Sequence, residues 1–115
     1  LVEDFTRKMN EVRRKWTGYL AEAHSQGRKV ALWGSGSKAV SFLTTLGCGP
    51  YVNFVVDINP NRHGHYMPVT AQRIVGPDDL PALRPDIVII MNRIYEGEIR
   101  DSLAALGLAP EVHAL

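Results

Sequence analysis

The stretch KVALWGSGSKAVSFL, residues 29–43, decides the fold that we predict for this chain. Its apolar run ends at Gly34-Ser35-Gly36, and apolar residues then return at helical spacing. This pattern is typical of a buried strand that turns tightly into a helix, and such turns often hold a phosphate. We therefore predict a strand over 29–33 and a helix over 38–46, joined by a small turn.

The rest of the chain continues this alternation of strands and helices. Further strands are predicted at 52–57, 73–75, 86–91 and 111–115, with a short helix after Pro77 and a longer one over 95–106. Alternation of this kind predicts a parallel sheet with right-handed crossovers. We predict an α/β fold: a small Rossmann-like three-layer sandwich with a mainly parallel sheet of about five strands in the order 3-2-1-4-5.

A long amphipathic helix is predicted before this sheet. Its apolar residues recur at spacings of three and four: Val2, Phe5, Met9, Val12, Trp16, Tyr19, Leu20 and Ala23. Arg13-Arg14-Lys15 and neighbouring bases are mixed with acids, which favours a solvated polar face over a nucleic-acid site. We divide the chain into this helix, residues 1–27, expected to connect to a preceding domain, and a Rossmann-like domain, residues 28–115.

Composition limits the classes of function. The chain has 115 residues and a net charge of +1, so no global charge attracts nucleic acid or an anionic membrane. No signal peptide or membrane-spanning run is visible, and the single cysteine, Cys48, excludes an internal disulfide. We expect a cytoplasmic protein without a membrane or nucleic-acid partner.

The glycine turn fits a known anion-binding pattern. Residues 34–39, GSGSKA, match the dinucleotide fingerprint G-x-G-x-x-A, and Asp57 lies about 20 residues further on, where a ribose-binding acid is expected. Lys38 lies in the first helical turn, where a bound anion would offset its unfavourable position in the helix dipole. The pattern leaves three alternatives open: a dinucleotide site, a methyl-donor site, or a turn that is merely small.

Loops that follow parallel strands meet at one edge of the sheet, where α/β proteins bind ligands. On this basis the candidate substrate- or phosphate-binding residues are Gly34, Ser35, Gly36, Ser37, Lys38, Asp57, Asn59, Asn92 and Tyr95. Alternatively, Asp57 and Asn59 only form an Asx turn, and Asn92 only caps the next helix. The aperiodic segment 59–70 is a candidate binding loop.

The sequence nominates no catalytic residue and no metal site. Cys48 lies between glycines with no obvious base, which favours a packing role. His63 and His65 lack a third ligand of known position. Carboxylates are scattered, so none is paired for acid–base chemistry.

Three segments carry a family resemblance: GSGSKAVSFLTTLG, VVDINPNRHGHYMP and RPDIVIIMNRIYEGEIR. Residues 28–115 resemble the C-terminal domain of S-adenosylmethionine-dependent sugar C-methyltransferases and related methyltransferase-fused proteins. The resemblance implies a preceding domain that binds S-adenosylmethionine and holds the catalytic residues. By position it covers 34–38, 57–60, Gly64, Pro68, Tyr95 and Glu98. Arg93-Ile94 stands where sugar C-methyltransferases often have Trp-Asn. In this respect the chain is closer to the methyltransferase-fused subgroup.

The resemblance makes an accessory role the leading hypothesis. The domain, not catalytic by itself, would bind a nucleotide-sugar or another phosphate-bearing substrate, and its partners would be the preceding domain and that small molecule. The alternatives are an independent nucleotide-binding module of the NAD type and an assembly domain with an empty glycine turn. Homo-oligomerisation is left open.

Overall fold

A computed structural model describes residues 2–115 of the chain, and its side chains from residue 4 onward. In chain order the helices and strands are α1 (Val2–Ser25), β1 (Val30–Trp33), α2 (Ser37–Thr44), β2 (Phe54–Val56), β3 (Arg73–Val75), α3 (Leu80–Leu83), β4 (Ile87–Ile90), α4 (Glu96–Ala105) and β5 (Glu111–Ala114). The five strands form one sheet in the order β3-β2-β1-β4-β5, and every pairing between them is parallel. The predicted fold class and strand order are confirmed.

The central strands are buried on both faces of the sheet. All four residues of β1 and all four of β4 are buried, as their nearly unbroken apolar sequences predict. In the ladder, Trp33 at the end of β1 lies opposite Val56 of β2 and Ile90 of β4. The three strands therefore end level with one another, which places the loops after them at a common edge.

Helices cover the sheet on both sides. One face packs against α1 and α2 in a core that includes Leu20, Leu32 and Phe42. The other face packs against α3 and α4 in a core that includes Leu80, Ile90 and Leu103. These layers complete the three-layer sandwich that the alternation of elements predicts.

Among the side chains from residue 4 onward, those of α1 that pack on the core lie in its C-terminal half. Leu20 and Ala23 are buried in the core, and the Trp16 ring meets the Phe42 ring edge-on at a centroid distance of 5.5 Å. Phe5, near the other end, is 68% exposed. Among the residues that the structure describes, no helix combines the length and apolarity needed to cross a membrane.

Part of the segment 59–70 pairs with β3 and the residue before it. Tyr66 forms an antiparallel bridge with Arg73, and the amide of Ile74 donates to the carbonyl of His65 at 2.8 Å. Met67 is buried in the core. Residues 64–67 therefore cover the free edge of β3, which protects an edge strand from pairing with other chains.

Candidate functional site

A pocket of about 340 Å³ opens at the carboxyl ends of β1, β2 and β4. It lies where the strand order reverses between β1 and β4, the usual ligand position in open α/β sheets. Trp33, Gly34, Asp57, Ile58, Met91, Asn92, Tyr95, Glu98, Ile99 and Ser102 line it. The predicted meeting of the three loops at one edge is thus observed for four candidate residues: Gly34, Asp57, Asn92 and Tyr95.

Asp57 is the centre of the hydrogen-bond network at the turn after β1. Its Oδ2 accepts from the backbone amide of Ser35 at 3.3 Å and also from the Ser35 hydroxyl, while its Oδ1 accepts from the amide of Asn59 at 2.8 Å. The guanidinium of Arg62 donates to the Ser35 Oγ at 2.8 Å and lies 3.9 Å from Asp57 Oδ2. These contacts fix the carboxylate against the glycine turn.

The same network keeps Asp57 ionised. Partial burial by itself would raise the pKa of its carboxyl group, but the Ser35 hydroxyl, the amides of Asn59 and Ser35, and the charge of Arg62 together lower that pKa below its ordinary value. Near neutral pH, Asp57 is therefore a fixed negative charge and a hydrogen-bond acceptor at the wall of the pocket.

The turn between β1 and α2 needs glycine at its first position. Gly34 has a φ of +118°, and its amide donates to the Val56 carbonyl at 2.7 Å. A Cβ atom there would lie 3.2 Å from the Cβ of Met91, so a side chain would meet both backbone strain and steric crowding. Gly34 thus lets β1 pass close to the end of β4.

The remaining residues of the turn lead to the start of α2. Ser35 is buried, whereas Gly36, Ser37 and Lys38 are exposed and lie outside the pocket lining. Gly36, the N-cap residue, has no side chain that could cap the helix. The first amides of α2 therefore have no side-chain cap, and helix geometry gives them no partner within the helix.

Asn92 and Tyr95 supply the other wall of the pocket. The Asn92 Oδ1 accepts from the amide of Ile94 at 3.2 Å, and the Tyr95 side chain is 52% exposed. Arg93 points elsewhere, because its guanidinium donates to the Ala114 carbonyl on β5 at 3.3 Å. Asn92 therefore caps the following turn, as the alternative interpretation predicts, and also lines the pocket.

Asn59 stands apart from the pocket. Its side chain accepts from the amide of Asn61 at 3.0 Å, which caps the turn Pro60–Arg62. The Asx turn proposed as an alternative for Asp57 and Asn59 is therefore present. Asp57 both forms this turn and lines the pocket.

Sequence reasoning missed several residues of the site. Arg62 was not a candidate, and no local pattern links it to Ser35, 27 residues earlier. Ile99 and Ser102 were also missed, but they could have been predicted, because with Tyr95 and Glu98 they have the i, i+3, i+4, i+7 spacing of one helical face. Met91 reaches the pocket simply because it follows β4.

Other chemistry-bearing residues have structural partners. Cys48 is fully buried, and burial raises the pKa of its thiol to about 11, so it is a protonated packing residue. The Nε2 of His63 lies 2.6 Å from the Asp57 carbonyl, which accepts a hydrogen bond from it. Within residues 2–115, no group of three His, Cys, Asp or Glu side chains is arranged to hold a metal ion.

The fold and the edge pocket define a Rossmann-like domain of the kind that binds nucleotides. Residues 1–108 match the family described as the C-methyltransferase C-terminal domain, so the chain belongs to that family. The resemblance stated from the sequence is confirmed. No curated protein matches the chain.

Solved structures that share the fold include those of RSP, a Rex-family repressor. One RSP structure is 12% identical, with a TM-score of 0.56 over 76% of this chain and 52% of its own. RSP with β-NAD⁺ and operator DNA is 14% identical, with a TM-score of 0.55 over 76% of this chain and 49% of its own. RSP with β-NADH is 12% identical, with a TM-score of 0.55 over 81% of this chain and 57% of its own. This chain spans about half the length of those proteins, and the likeness concerns the fold alone.

Proposed function

We propose that this chain is the substrate-binding C-terminal domain of an S-adenosylmethionine-dependent C-methyltransferase, and that it holds the nucleotide-linked part of the substrate. The single observation that carries the proposal is the meeting of Gly34, Asp57, Asn92 and Tyr95 around one pocket where the strand order reverses. Family membership supplies the class of reaction.

The chemistry of the pocket suits the uncharged part of a nucleotide. Its apolar side chains include Trp33, Met91 and Ile99, and its acids are Asp57 and Glu98. Among residues 2–115, no lysine or arginine belongs to the lining. A nucleoside fits this combination, because a flat base packs on apolar surface and ribose hydroxyls donate to a carboxylate.

The start of α2 suits the phosphates. Gly36, Ser37 and Lys38 are exposed residues at the positive end of the helix dipole, and they follow Gly34 of the pocket lining within four residues of the chain. Lys38 adds an ammonium group at the same place. In this arrangement the nucleoside occupies the pocket and the phosphates lie along α2, so that the methyl acceptor extends toward the methyltransferase domain.

The domain by itself is proposed to be non-catalytic. Asp57 is engaged by Ser35, Asn59 and Arg62, which suits a positioning role better than proton abstraction. S-adenosylmethionine would bind to the preceding domain. The free thiol of Cys48 is consistent with the reducing cytoplasm, which is the location that we propose.

Amide chemical shifts test this function. A nucleoside diphosphate sugar, NAD and S-adenosylmethionine are added separately while the signals of residues 34–38 and 92–95 are followed. We expect the sugar nucleotide to shift both groups of signals and S-adenosylmethionine to shift neither. Silence with the sugar nucleotide would overturn the proposal and leave an assembly role.

A second candidate is an independent NAD-type binding module. The placement of Asp57 beside the glycine turn favours it, because a carboxylate after the second strand binds the ribose in that class. Shifts produced by NAD and absent with the sugar nucleotide would select this candidate over the first.

Lys38→Ala tests the phosphate contact. We expect it to weaken sugar-nucleotide binding by about 1–2 kcal/mol, as for a lost charge-assisted hydrogen bond. Lys15→Ala, an exposed lysine on α1, is the matched control and should leave the affinity unchanged. Isothermal titration calorimetry provides the affinities, and an unaltered value for Lys38→Ala would remove this residue from the site.

A further inference from the structure

The apolar stripe of α1 continues beyond the part that packs on the domain. From Phe5 onward its members follow an alternating spacing of four and three: Phe5, Met9, Val12, Trp16, Tyr19 and Ala23. This is the heptad spacing of a helix that packs along one seam against a neighbour. Trp16, Tyr19 and Ala23 pack on the core, whereas Phe5 is 68% and Val12 is 42% exposed.

The exposed half of this stripe has a distinct charge pattern. Lys8, Arg13 and Lys15 occupy the heptad positions that flank the seam, and each is exposed. Arg7 and Arg14 lie on the opposite side of the helix, where Arg7 pairs with Asp4 at 3.1 Å. The seam is therefore bordered by positive charge on both sides.

These charges argue against a second copy as the occupant. In a parallel pair of helices Lys8 would face Arg13 of the other copy, and in an antiparallel pair Arg13 would face Arg13. Like charges opposite each other destabilise such pairs. A partner that carries apolar residues bordered by carboxylates would instead gain both burial and charge pairing.

We propose that residues 4–15 of α1 dock the methyltransferase domain that precedes this domain in the family, through an apolar, acid-bordered surface of that domain. The C-terminal half of the stripe packs on the core of this domain, and the N-terminal half would pack on the methyltransferase domain. Because both halves belong to one helix, α1 would fix the position of the two domains relative to each other. The inference depends on family membership and the exposed stripe, and it is independent of nucleotide binding.

Hydrogen exchange in the protein that carries both domains tests this docking. We expect the amides of residues 4–15 to exchange at least about tenfold more slowly there than in the present chain alone, because partner packing suppresses local opening. Equal exchange in the two proteins would overturn the proposal, whatever the outcome of the nucleotide titrations.

Charge-reversal variants of the two-domain protein provide the matched comparison. K8E/R13E/K15E should lose the protection, whereas R7E/R14E, which reverses the same type of charge on the opposite face, should retain it. Phe5→Ser should also lose it, with thermal unfolding of the present chain unchanged because the side chain is exposed. Equal loss of protection in the two charge-reversal variants would contradict the assigned seam.

Two further measurements test whether a second copy of the chain or a nucleic acid binds the exposed stripe instead. A dimer of the present chain in analytical ultracentrifugation that Phe5→Ser dissociates would assign the stripe to self-association. Binding of duplex DNA that K8E/R13E/K15E abolishes and Phe5→Ser leaves intact would assign it to nucleic acid. We expect a monomer and no such DNA binding.

Discussion

The two loops that flank the pocket differ in how firmly they are held. The turn after β1 is tied to Asp57 through the amide and hydroxyl of Ser35, and Arg62 closes the network. The loop after β4 is held by the capping bond from the Ile94 amide to Asn92 and by the bond from Arg93 to the Ala114 carbonyl, and it leaves Tyr95 half exposed. One wall of the pocket is therefore a carboxylate fixed by a hydrogen-bond network, and the other presents an aromatic residue that is half exposed.

This difference assigns separate tasks to the two walls. A preorganised carboxylate and a fixed turn bind without a large ordering cost, which favours a constant part of the substrate such as ribose. An exposed aromatic ring on the other wall can pack on a base with little effect on the fold. Substitutions in the first wall should therefore change stability as well as binding, and those in the second should change binding with little effect on stability.

Gly34→Ala should produce the largest change in the first wall. We expect a loss of about 3 kcal/mol in the free energy of unfolding, because an alanine is strained at a φ of +118° and its Cβ crowds Met91. Urea denaturation measures this loss in the free energy of unfolding. Gly36→Ala is the control, since Gly36 has a φ of −81° and open space around its Cβ position, and it should cost roughly 0.5 kcal/mol or less.

Asp57→Ala should come next, with a loss of about 2 kcal/mol in the free energy of unfolding. The change leaves the amide and hydroxyl of Ser35 without their acceptor in a partly buried site. Asp78→Ala, at an exposed carboxylate, is the comparison. If urea denaturation shows equal losses for the two variants, the first wall is not held by Asp57.

Acid should reduce the advantage of the wild type over Asp57→Asn. The folded pKa of Asp57 lies below its ordinary value, so its ionised form contributes stability that is fully present above the unfolded pKa and is lost as pH falls through the folded pKa. Thermal unfolding between roughly pH 2 and pH 7 measures the difference. A stability difference between the wild type and Asp57→Asn that stays constant across this range would contradict the role of the Asp57 network.

Tyr95→Ala should have the smallest effect on stability. Because the ring is 52% exposed, we expect a change within about 0.5 kcal/mol in the free energy of unfolding. Sugar-nucleotide affinity should fall by roughly 1–3 kcal/mol if the ring packs on a base. Calorimetric titration of the folded variant measures the affinity separately from the stability. An affinity equal to that of the wild type would show that the base does not pack on Tyr95.

Local sequence patterns were sufficient to predict the fold and the site residues that come directly after the strands. Unbroken apolar runs predicted the buried strands β1 and β4, and the order of elements predicted the sheet. Gly34 and Asp57 were predicted from their spacing along the chain. The pairing of residues 64–67 with the edge of β3 was not predicted, because covering a sheet edge leaves no periodic signal in the sequence.

The sequence by itself determined the sheet, its parallel order and the edge at which loops gather, because burial and periodicity act through neighbours along the chain. Only the tertiary structure decided that Arg62 reaches Ser35, that Asn59 turns away, and that half of α1 is left uncovered. Those outcomes depend on contacts between residues distant in the sequence, where the geometry of the packed chain selects one partner among many.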